Sequence, residues 1–256
     1  MSMRVRETNG DRVGSTMARR GSVWLARALL FGLVFVGWPT PGGRPAAADA
    51  ESPASAATSV DPGQALQRLK NGNQRFVAGK LLHQRQNPGR RAELVPAQHP
   101  FAAILGCSDS RVPLEIVFDQ GLGDLFVVRV AGNVAGGDER GSLQYAVAHL
   151  HVPLIVVLGH ERCGAVSAAL SLPSDLAKEA DGVQELVARI VPNVKALPAS
   201  GDEAERVQRA VEANVRGSLQ QLREAAVLKE KIADDEIRVV GAVYELGSGR
   251  VRWLSE

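Results

Sequence analysis

Two short polar segments in this 256-residue chain carry residue types that could bind a metal ion. The first, Cys107-Ser-Asp-Ser-Arg111, follows an apolar run at 101–106, and the second, His160-Glu-Arg-Cys163, follows another at 153–159. Such runs predict buried strands of a parallel sheet, whose carboxyl ends share one edge. Two thiolates and an imidazole at that edge make a three-ligand zinc set with an open fourth position, the arrangement of a catalytic zinc.

A disulfide is the alternative to metal binding, because the chain has two cysteines and they could pair. Exported proteins often form disulfides. A disulfide alone, however, has no use for His160, which stands three residues before Cys163. The spacing therefore favours the metal site.

Asp109 and Arg111 lie two and four residues after Cys107, in the loop that leaves the first predicted strand. A carboxylate beside a bound metal could accept the proton of a water ligand and orient it. Arg111 could hold that carboxylate in a charge-assisted, bidentate pair. The alternative is a surface ion pair, or a cap for a helix predicted from Pro113. The position next to a metal ligand favours the functional role.

The rest of the pattern alternates strands and helices, which predicts an α/β fold with a mostly parallel sheet flanked by helices. Asp61 and Pro62 are typical cap and first-turn residues, and they predict an N-terminal helical arm. An irregular segment is expected at 81–98. The other predicted strands are 124–130, 237–244 and a short antiparallel partner at 250–254, and the other predicted helices are 113–118, 139–150, 163–170, 186–197 and 203–231.

The first fifty residues have the pattern of an export signal. Arginines precede an apolar stretch at 28–38 that is shorter than a membrane span. Small residues follow, and Ala48 and Ala50 each end a candidate cleavage motif. A retained signal anchor is the alternative. We expect a periplasmic mature chain and three segments: a signal peptide at 1–50, a linker at 51–61 and one domain at 62–256.

Composition narrows the possible partners. The net charge is +2, with 45% hydrophobic and 23% charged residues, as in an ordinary globular protein. Basic residues form no stripe with interleaved aromatic side chains, so we expect no nucleic-acid partner. No segment after the signal is apolar enough for a membrane span, so we expect no membrane contact for the mature chain.

Together, the two polar segments resemble the β-class carbonic anhydrases. The similarity covers about 61–254 and includes Phe126–Arg129, Asn133, Gly141–Val147 and Val243–Val251. The resemblance implies a zinc ion held by Cys107, His160 and Cys163. It also implies that the Asp109–Arg111 dyad orients a zinc-bound hydroxide, which hydrates carbon dioxide reversibly to bicarbonate and a proton. Family members are homodimers or larger assemblies, in which a neighbouring subunit helps to form the cleft.

The resemblance further implies four substrate-lining positions, each with a plainer alternative. Gln98 stands where plant-type members have a glutamine that hydrogen-bonds the substrate, but it could be a solvated loop residue. Phe126 and Tyr145 match cleft positions, but they could be core residues. Gly164 matches a glycine whose amide faces the site, but it could instead serve close helix packing. Ile104 replaces a tryptophan found in the subgroup with a regulatory bicarbonate site, so that form of regulation is not expected.

Two other functions stay open from the sequence. One is a carbon disulfide or carbonyl sulfide hydrolase, which would use the same fold and zinc set with altered access to the site. The other is a non-catalytic module that binds zinc or bicarbonate. The Asp109–Arg111 pair favours an enzyme, because a structural zinc has no use for a group aimed at an open position.

Overall fold

A mostly parallel sheet of five strands organises residues 60–171 and 173–255, the parts of the chain that the computed structural model describes. The strands are β1 (Ala102–Gly106), β2 (Leu125–Arg129), β3 (Leu154–His160), β4 (Arg238–Tyr244) and β5 (Val251–Trp253). Their order in the sheet is β2-β1-β3-β4-β5. β1 to β4 are parallel and β5 is antiparallel to β4, which confirms the predicted fold class.

Helices cover both faces of this sheet. They are α1 (Pro62–Val77), α2 (Pro88–Glu93), α3 (Leu114–Val117), α4 (Gly137–Leu150), α5 (Gly164–Ala169), α6 (Pro173–Leu176), α7 (Asp181–Val194), α8 (Glu203–Arg223) and α9 (Ala226–Ala233). A 3-10 turn at Ala131–Asn133 follows β2. The predicted start of α1 is confirmed, since the Asp61 side chain accepts a hydrogen bond from the backbone N–H of Gln64.

The central strands β1 and β3 are buried along their whole length, which explains why their sequences are uninterrupted apolar runs. Alternate residues enter two separate cores. One core contains Leu105 and Val157 and is covered by α4, α5, α7, α8 and α9. The other contains Ile104 and Val156 and is covered by α1 and α3. The sheet is therefore the middle of three layers.

The chain reverses its direction across the sheet beside β1. It passes from β1 to β2 on one side and then crosses to β3 on the other. The connections that leave the carboxyl ends of β1 and β3 diverge there, and the resulting crevice is where open α/β sheets bind ligands. Cys107 directly follows β1, and His160 is the last residue of β3.

The segment at 81–98, predicted to be irregular, contains the short helix α2. The side chain of Asn87 accepts a hydrogen bond from the backbone N–H of Arg90, and Pro88 occupies the first helical position. This is the same cap-and-proline signal that starts α1, so the prediction of an irregular segment was wrong at these residues.

The single helix predicted at 203–231 is two helices, α8 and α9. The backbone is extended at Ala225, with φ −68° and ψ 125°, and this residue caps the second helix. The change of direction brings Leu228 of α9 into the core. Tertiary packing therefore overrides a helical pattern that continues through the break.

The signal peptide predicted at 1–50 and nearly all of the linker predicted at 51–61 lie outside the described residues. No helix at 60–171 or 173–255 is both long and apolar enough to cross a membrane.

Gly72 lies where α1 approaches the end of α3. A Cβ atom there would lie 1.7 Å from the carbonyl oxygen of Phe118, whereas a Cβ atom at Gly141, also inside a helix, would meet nothing within 4 Å. We expect Gly72→Ala to lower the free energy of unfolding in urea by about 1–3 kcal/mol, because the added methyl group overpacks the contact. The matched Gly141→Ala should raise it by about 0.5–1 kcal/mol. Equal effects of the two substitutions would refute the steric argument.

The carboxylate of Asp119 ties α1 to the segment that follows it. Arg75 donates to it from Nε at 2.6 Å, and the backbone N–H groups of Leu82 and His83 donate at 3.1 and 3.2 Å. Burial by itself raises the pKa of Asp119, but these donors outweigh burial and hold the pKa below its ordinary value.

This depressed pKa predicts a pH-dependent contribution to stability. The contribution is present above the unfolded-state pKa of Asp119, about 3.9, and is lost as the pH falls through the lower folded-state pKa. Asp119→Asn should therefore cost about 2 kcal/mol at pH 7 and less at about pH 3. Asparagine tolerates the left-handed backbone of this position, where φ is 47°. If the difference in free energy of urea unfolding between the wild type and Asp119→Asn does not change with pH, the electrostatic explanation is ruled out.

Candidate metal centre

Cys107, His160 and Cys163 meet at the crevice, and their candidate ligand atoms all lie within 4.8 Å of one another. We call this group the metal centre. Cys107 is placed by the end of β1, His160 by the end of β3, and Cys163 is the N-cap residue of α5. All three residues are buried. The fold thus brings together the three residues that the sequence singled out.

The two sulfur atoms fit a shared metal better than a disulfide. Their Sγ atoms are 4.0 Å apart, and both cysteines are free. A disulfide bond is about 2.05 Å long. Two sulfurs that each lie about 2.3 Å from a tetrahedral zinc are about 3.8 Å apart. The observed separation is therefore close to that of two zinc ligands.

The ring of His160 is oriented for metal binding through Nε2. Its Nδ1 lies 2.8 Å from the carbonyl oxygen of Glu161. Because a carbonyl can only accept a hydrogen bond, Nδ1 carries the proton and Nε2 presents a lone pair. Nε2 is buried and has no hydrogen-bond partner within the described residues. A buried acceptor without a partner is costly, and a bound cation would satisfy it.

The two sulfur atoms shift each other's pKa in opposite directions. The hydrogen bond from Cys163 lowers the pKa of the Cys107 thiol to about 4, and contacts with His160 and the Gly132 N–H act in the same direction. The same contact between the sulfurs, together with burial, raises the pKa of Cys163. Since the thiolate is the form that binds metal, zinc binding would release the proton of any cysteine that is still a thiol.

Asp109 and Arg111 form a bidentate ion pair beside the metal centre. Nε and Nη2 of Arg111 donate to the two carboxylate oxygens at 2.9 and 2.7 Å, and the Arg111 backbone N–H donates at 2.9 Å. These hydrogen bonds hold the pKa of Asp109 well below its ordinary value. Oδ2 of Asp109 lies 3.8 Å from Nε2 of His160. An ionised carboxylate is therefore held next to the nitrogen that would bind the metal.

Comparisons with known proteins agree with this geometry. A family model described as carbonic anhydrase matches residues 102–251. The chain is 44% identical over 192 residues to carbonic anhydrase 2 of Mycobacterium tuberculosis, which covers 75% of this chain and 92% of that protein. It is 45% identical over 199 residues to a carbonic anhydrase of Mycolicibacterium smegmatis, and this match covers 76% of this chain and 94% of that protein. A tetrameric β-carbonic anhydrase from Sordaria macrospora matches the fold with a TM-score of 0.60 at 31% identity. This match covers 70% of this chain and 91% of that chain.

The chain belongs to the β-class carbonic anhydrases. Members of this class are zinc enzymes, and the metal centre has the mixed sulfur and nitrogen donors that zinc binds.

In this β-carbonic anhydrase, three positions implied to line the cleft lie near the protein surface. Phe126 on β2 and Tyr145 on α4 have ring centroids 6.5 Å apart. Tyr145 is 48% exposed, so it is not a core residue, while Phe126 packs partly against the core. Gln98 is exposed ahead of β1. No hydrogen bond within the described residues joins these side chains to the metal centre, and their substrate role stays a prediction.

Gly164 is the first residue of α5, directly after Cys163. A Cβ atom at this glycine would meet nothing within 4 Å, so the alternative of close helix packing is wrong for the described part of the chain. Its backbone N–H belongs to the first helical turn, where no intrahelical acceptor is available. That its amide faces the substrate stays a prediction.

Two further residues contact the loop of the first metal ligand, and sequence reasoning assigned neither of them a role, although Arg129 lies within the family resemblance. Arg129, at the end of β2, donates from Nε to the carbonyl of Cys107 at 2.9 Å and from Nη2 to the carbonyl of Asp109 at 2.7 Å. The Gly132 N–H donates to Sγ of Cys107 at 3.3 Å. Arg129 and Gly132 therefore fix the loop that carries the first metal ligand and the dyad.

Proposed function

We propose that this chain is a zinc-dependent carbonic anhydrase that converts carbon dioxide and water reversibly to bicarbonate and a proton. The observation that carries the proposal is the metal centre itself. Three buried candidate ligands, one of them a histidine nitrogen that has no hydrogen-bond partner in the described part of the chain, would leave the fourth position of a zinc ion open beside an ionised carboxylate. A structural zinc would normally have four protein ligands.

Cys107 and Cys163 would hold the zinc through their Sγ atoms, and His160 would hold it through Nε2. Bound zinc lowers the pKa of a water ligand toward neutrality and supplies a nucleophile for carbon dioxide. The hydrogen bond from Nδ1 to the Glu161 carbonyl orients the imidazole and makes the lone pair of Nε2 a stronger metal ligand.

Asp109 would accept a hydrogen bond from a water molecule at the open fourth position of the zinc site and so orient it. Because its pKa is depressed, Asp109 stays ionised at neutral pH, and it is an acceptor rather than a strong base. The guanidinium of Arg111 binds both carboxylate oxygens, so it restrains the carboxylate from turning onto the metal.

Stopped-flow hydration of carbon dioxide, combined with metal analysis across pH, tests this proposal. We expect about one zinc per chain and a rate that rises with pH through the titration of the water ligand. Carbon disulfide and carbonyl sulfide should be assayed in parallel, and preferential hydrolysis of either would support the alternative enzyme. Full zinc content without turnover of any of the three substrates would support a non-catalytic module.

We further propose that the chain forms a homo-oligomer. The Sordaria macrospora relative is tetrameric. Large apolar side chains of this chain are exposed, including Tyr145 at 48% and Val95 at 84%, and a second subunit could cover them. Sedimentation velocity at micromolar concentration should show a dimer or larger species, and a monomer would refute this proposal.

We also propose that the chain is exported and that cleavage occurs near Ala48 or Ala50. The support is the arginine-rich, apolar and small-residue pattern of 1–50. Expression with the full N-terminus should yield a shortened periplasmic protein, which N-terminal sequencing would detect. An intact cytoplasmic product would contradict export.

A further inference from the structure

The turn that contacts the first metal ligand has a backbone that needs support. Gly132 and Asn133 are both left-handed, with φ of 74° and 43°. Two successive residues of this kind are uncommon, and a non-glycine residue there costs energy unless its surroundings hold it. This conformation directs the Gly132 N–H to the Sγ atom of Cys107 at 3.3 Å.

One face of α8 supplies that support. Asn214 donates from Nδ2 to the carbonyl of Gly132 at 2.6 Å, and Ser218 donates from Oγ to the carbonyl of Asn133 at 3.1 Å. Asn214 and Ser218 are four residues apart and fully buried. Side chains of α8 therefore donate hydrogen bonds to two backbone carbonyls of buried residues.

The orientation of the Asn214 amide is itself determined by a neighbour. Asn193 on α7 donates from Nδ2 to Oδ1 of Asn214 at 3.0 Å. Because Oδ1 accepts this bond, Nδ2 must face the carbonyl of Gly132. A Cβ atom at Gly132 would lie 2.6 Å from Cδ1 of Ile190, also on α7, so the turn has little room to move on that side.

We infer that Asn214 is a positioning residue for the metal centre. It holds the Gly132 carbonyl, on the peptide that follows the Gly132 Cα, and so restrains the residue whose N–H, on the preceding peptide, withdraws electron density from the Cys107 thiolate. A hydrogen bond to a thiolate ligand changes how strongly that sulfur donates to the metal. Here it would offset part of the negative charge that two thiolates place on the ion. This inference rests on the proposed zinc site, and it concerns a residue that would act through Gly132 rather than as a metal ligand.

The test compares Asn214→Leu with Ser218→Ala. Leucine has a similar size but cannot donate, whereas Ser218→Ala removes an equally buried hydrogen bond to the next carbonyl, one peptide further from Cys107. Asn214→Leu should lower zinc affinity, measured by competition with a chelator, by about 10-fold, because the turn would no longer hold Cys107 in position for the metal. In the cobalt-substituted protein, the sulfur-to-cobalt charge-transfer band should move to longer wavelength, because the sulfur holds its electrons less tightly. Ser218→Ala should lower only the unfolding midpoint.

Two results would overturn the inference. One is an Asn214→Leu protein with the wild-type cobalt spectrum and zinc affinity. The other is an equal shift in Ser218→Ala, which would mean a general loosening of the turn. If Asn214→Leu fails to fold, Asn193→Ala carries the test. It should produce a smaller band shift in the same direction, and the absence of a shift would be equally decisive.

The test of the proposed function does not depend on the result for Asn214. Carbon dioxide hydration by the wild type is measured independently of the cobalt spectra. An inactive wild type whose Asn214→Leu variant still shows the band shift would refute the carbonic anhydrase proposal and support the positioning role.

Discussion

Cys163→Ala is expected to lose bound zinc and carbon dioxide hydration together. The substitution removes one of three buried ligands, and a site with one thiolate and one imidazole cannot retain zinc against water and buffer. Without the metal, no group at the centre would activate a water molecule for attack on carbon dioxide at neutral pH. We expect the rate to fall by at least about a thousand-fold, toward that of uncatalysed hydration. Metal analysis and stopped-flow assays on the same preparation would measure both losses.

Ser167→Ala provides the matched control, since Ser167 lies one turn further along α5. It should keep stoichiometric zinc and the wild-type rate. Retention of zinc by Cys163→Ala would mean that another residue is the third ligand. X-ray absorption of the wild type gives an independent check, because the proposed centre requires mixed sulfur and nitrogen ligation.

Arg111→Ala should keep its zinc but lose most of its activity, by about 100-fold. The substitution removes both side-chain hydrogen bonds that hold the Asp109 carboxylate. The freed carboxylate can then turn toward the metal and compete for its open position, and misplacing an active-site group in this way costs rates of that order. The activity of Arg111→Lys should lie between those of the wild type and Arg111→Ala, because lysine keeps the charge but not the planar guanidinium.

Arg85→Ala is the control for this second prediction. Arg85 forms a similar bidentate pair, with Asp124, through Nε at 2.8 Å and Nη2 at 2.7 Å. Its loss should affect stability and leave zinc content and the rate per zinc unchanged. A wild-type rate and pH profile in Arg111→Ala would make the dyad a surface ion pair. Loss of zinc would instead mean that Arg111 mainly holds the Cys107 loop in place.

The residues of the metal centre could be predicted because their signals are local. Strands buried on both faces are uninterrupted apolar runs, and Cys107 and His160 stand at the ends of two such runs. Parallel strands bring those ends to one edge whatever the rest of the chain does. The start of α1 was equally local, since Asp61 and Pro62 act within a single turn.

Surface and core could not be told apart in the same way. Tyr145 lies on a helix whose spacing allows either environment, and the structure leaves it 48% exposed beside Phe126. The break between α8 and α9 also has no proline or glycine to mark it. In both cases, the deciding factor is which neighbouring element covers the helix, and periodicity along one segment does not contain that information.

The sequence by itself therefore predicted which three residues meet at the metal centre, the sheet and the pairing of Asp109 with Arg111, because each depends on residues close together in the chain or on the shared edge of parallel strands. Only the tertiary structure decided what supports them. Arg129 and Gly132 reach Cys107 across 22 and 25 residues, and Asn214 reaches Gly132 across 82. A single hydrogen bond between distant segments leaves no periodic pattern in either segment, so such contacts are visible only once the strands and helices have packed.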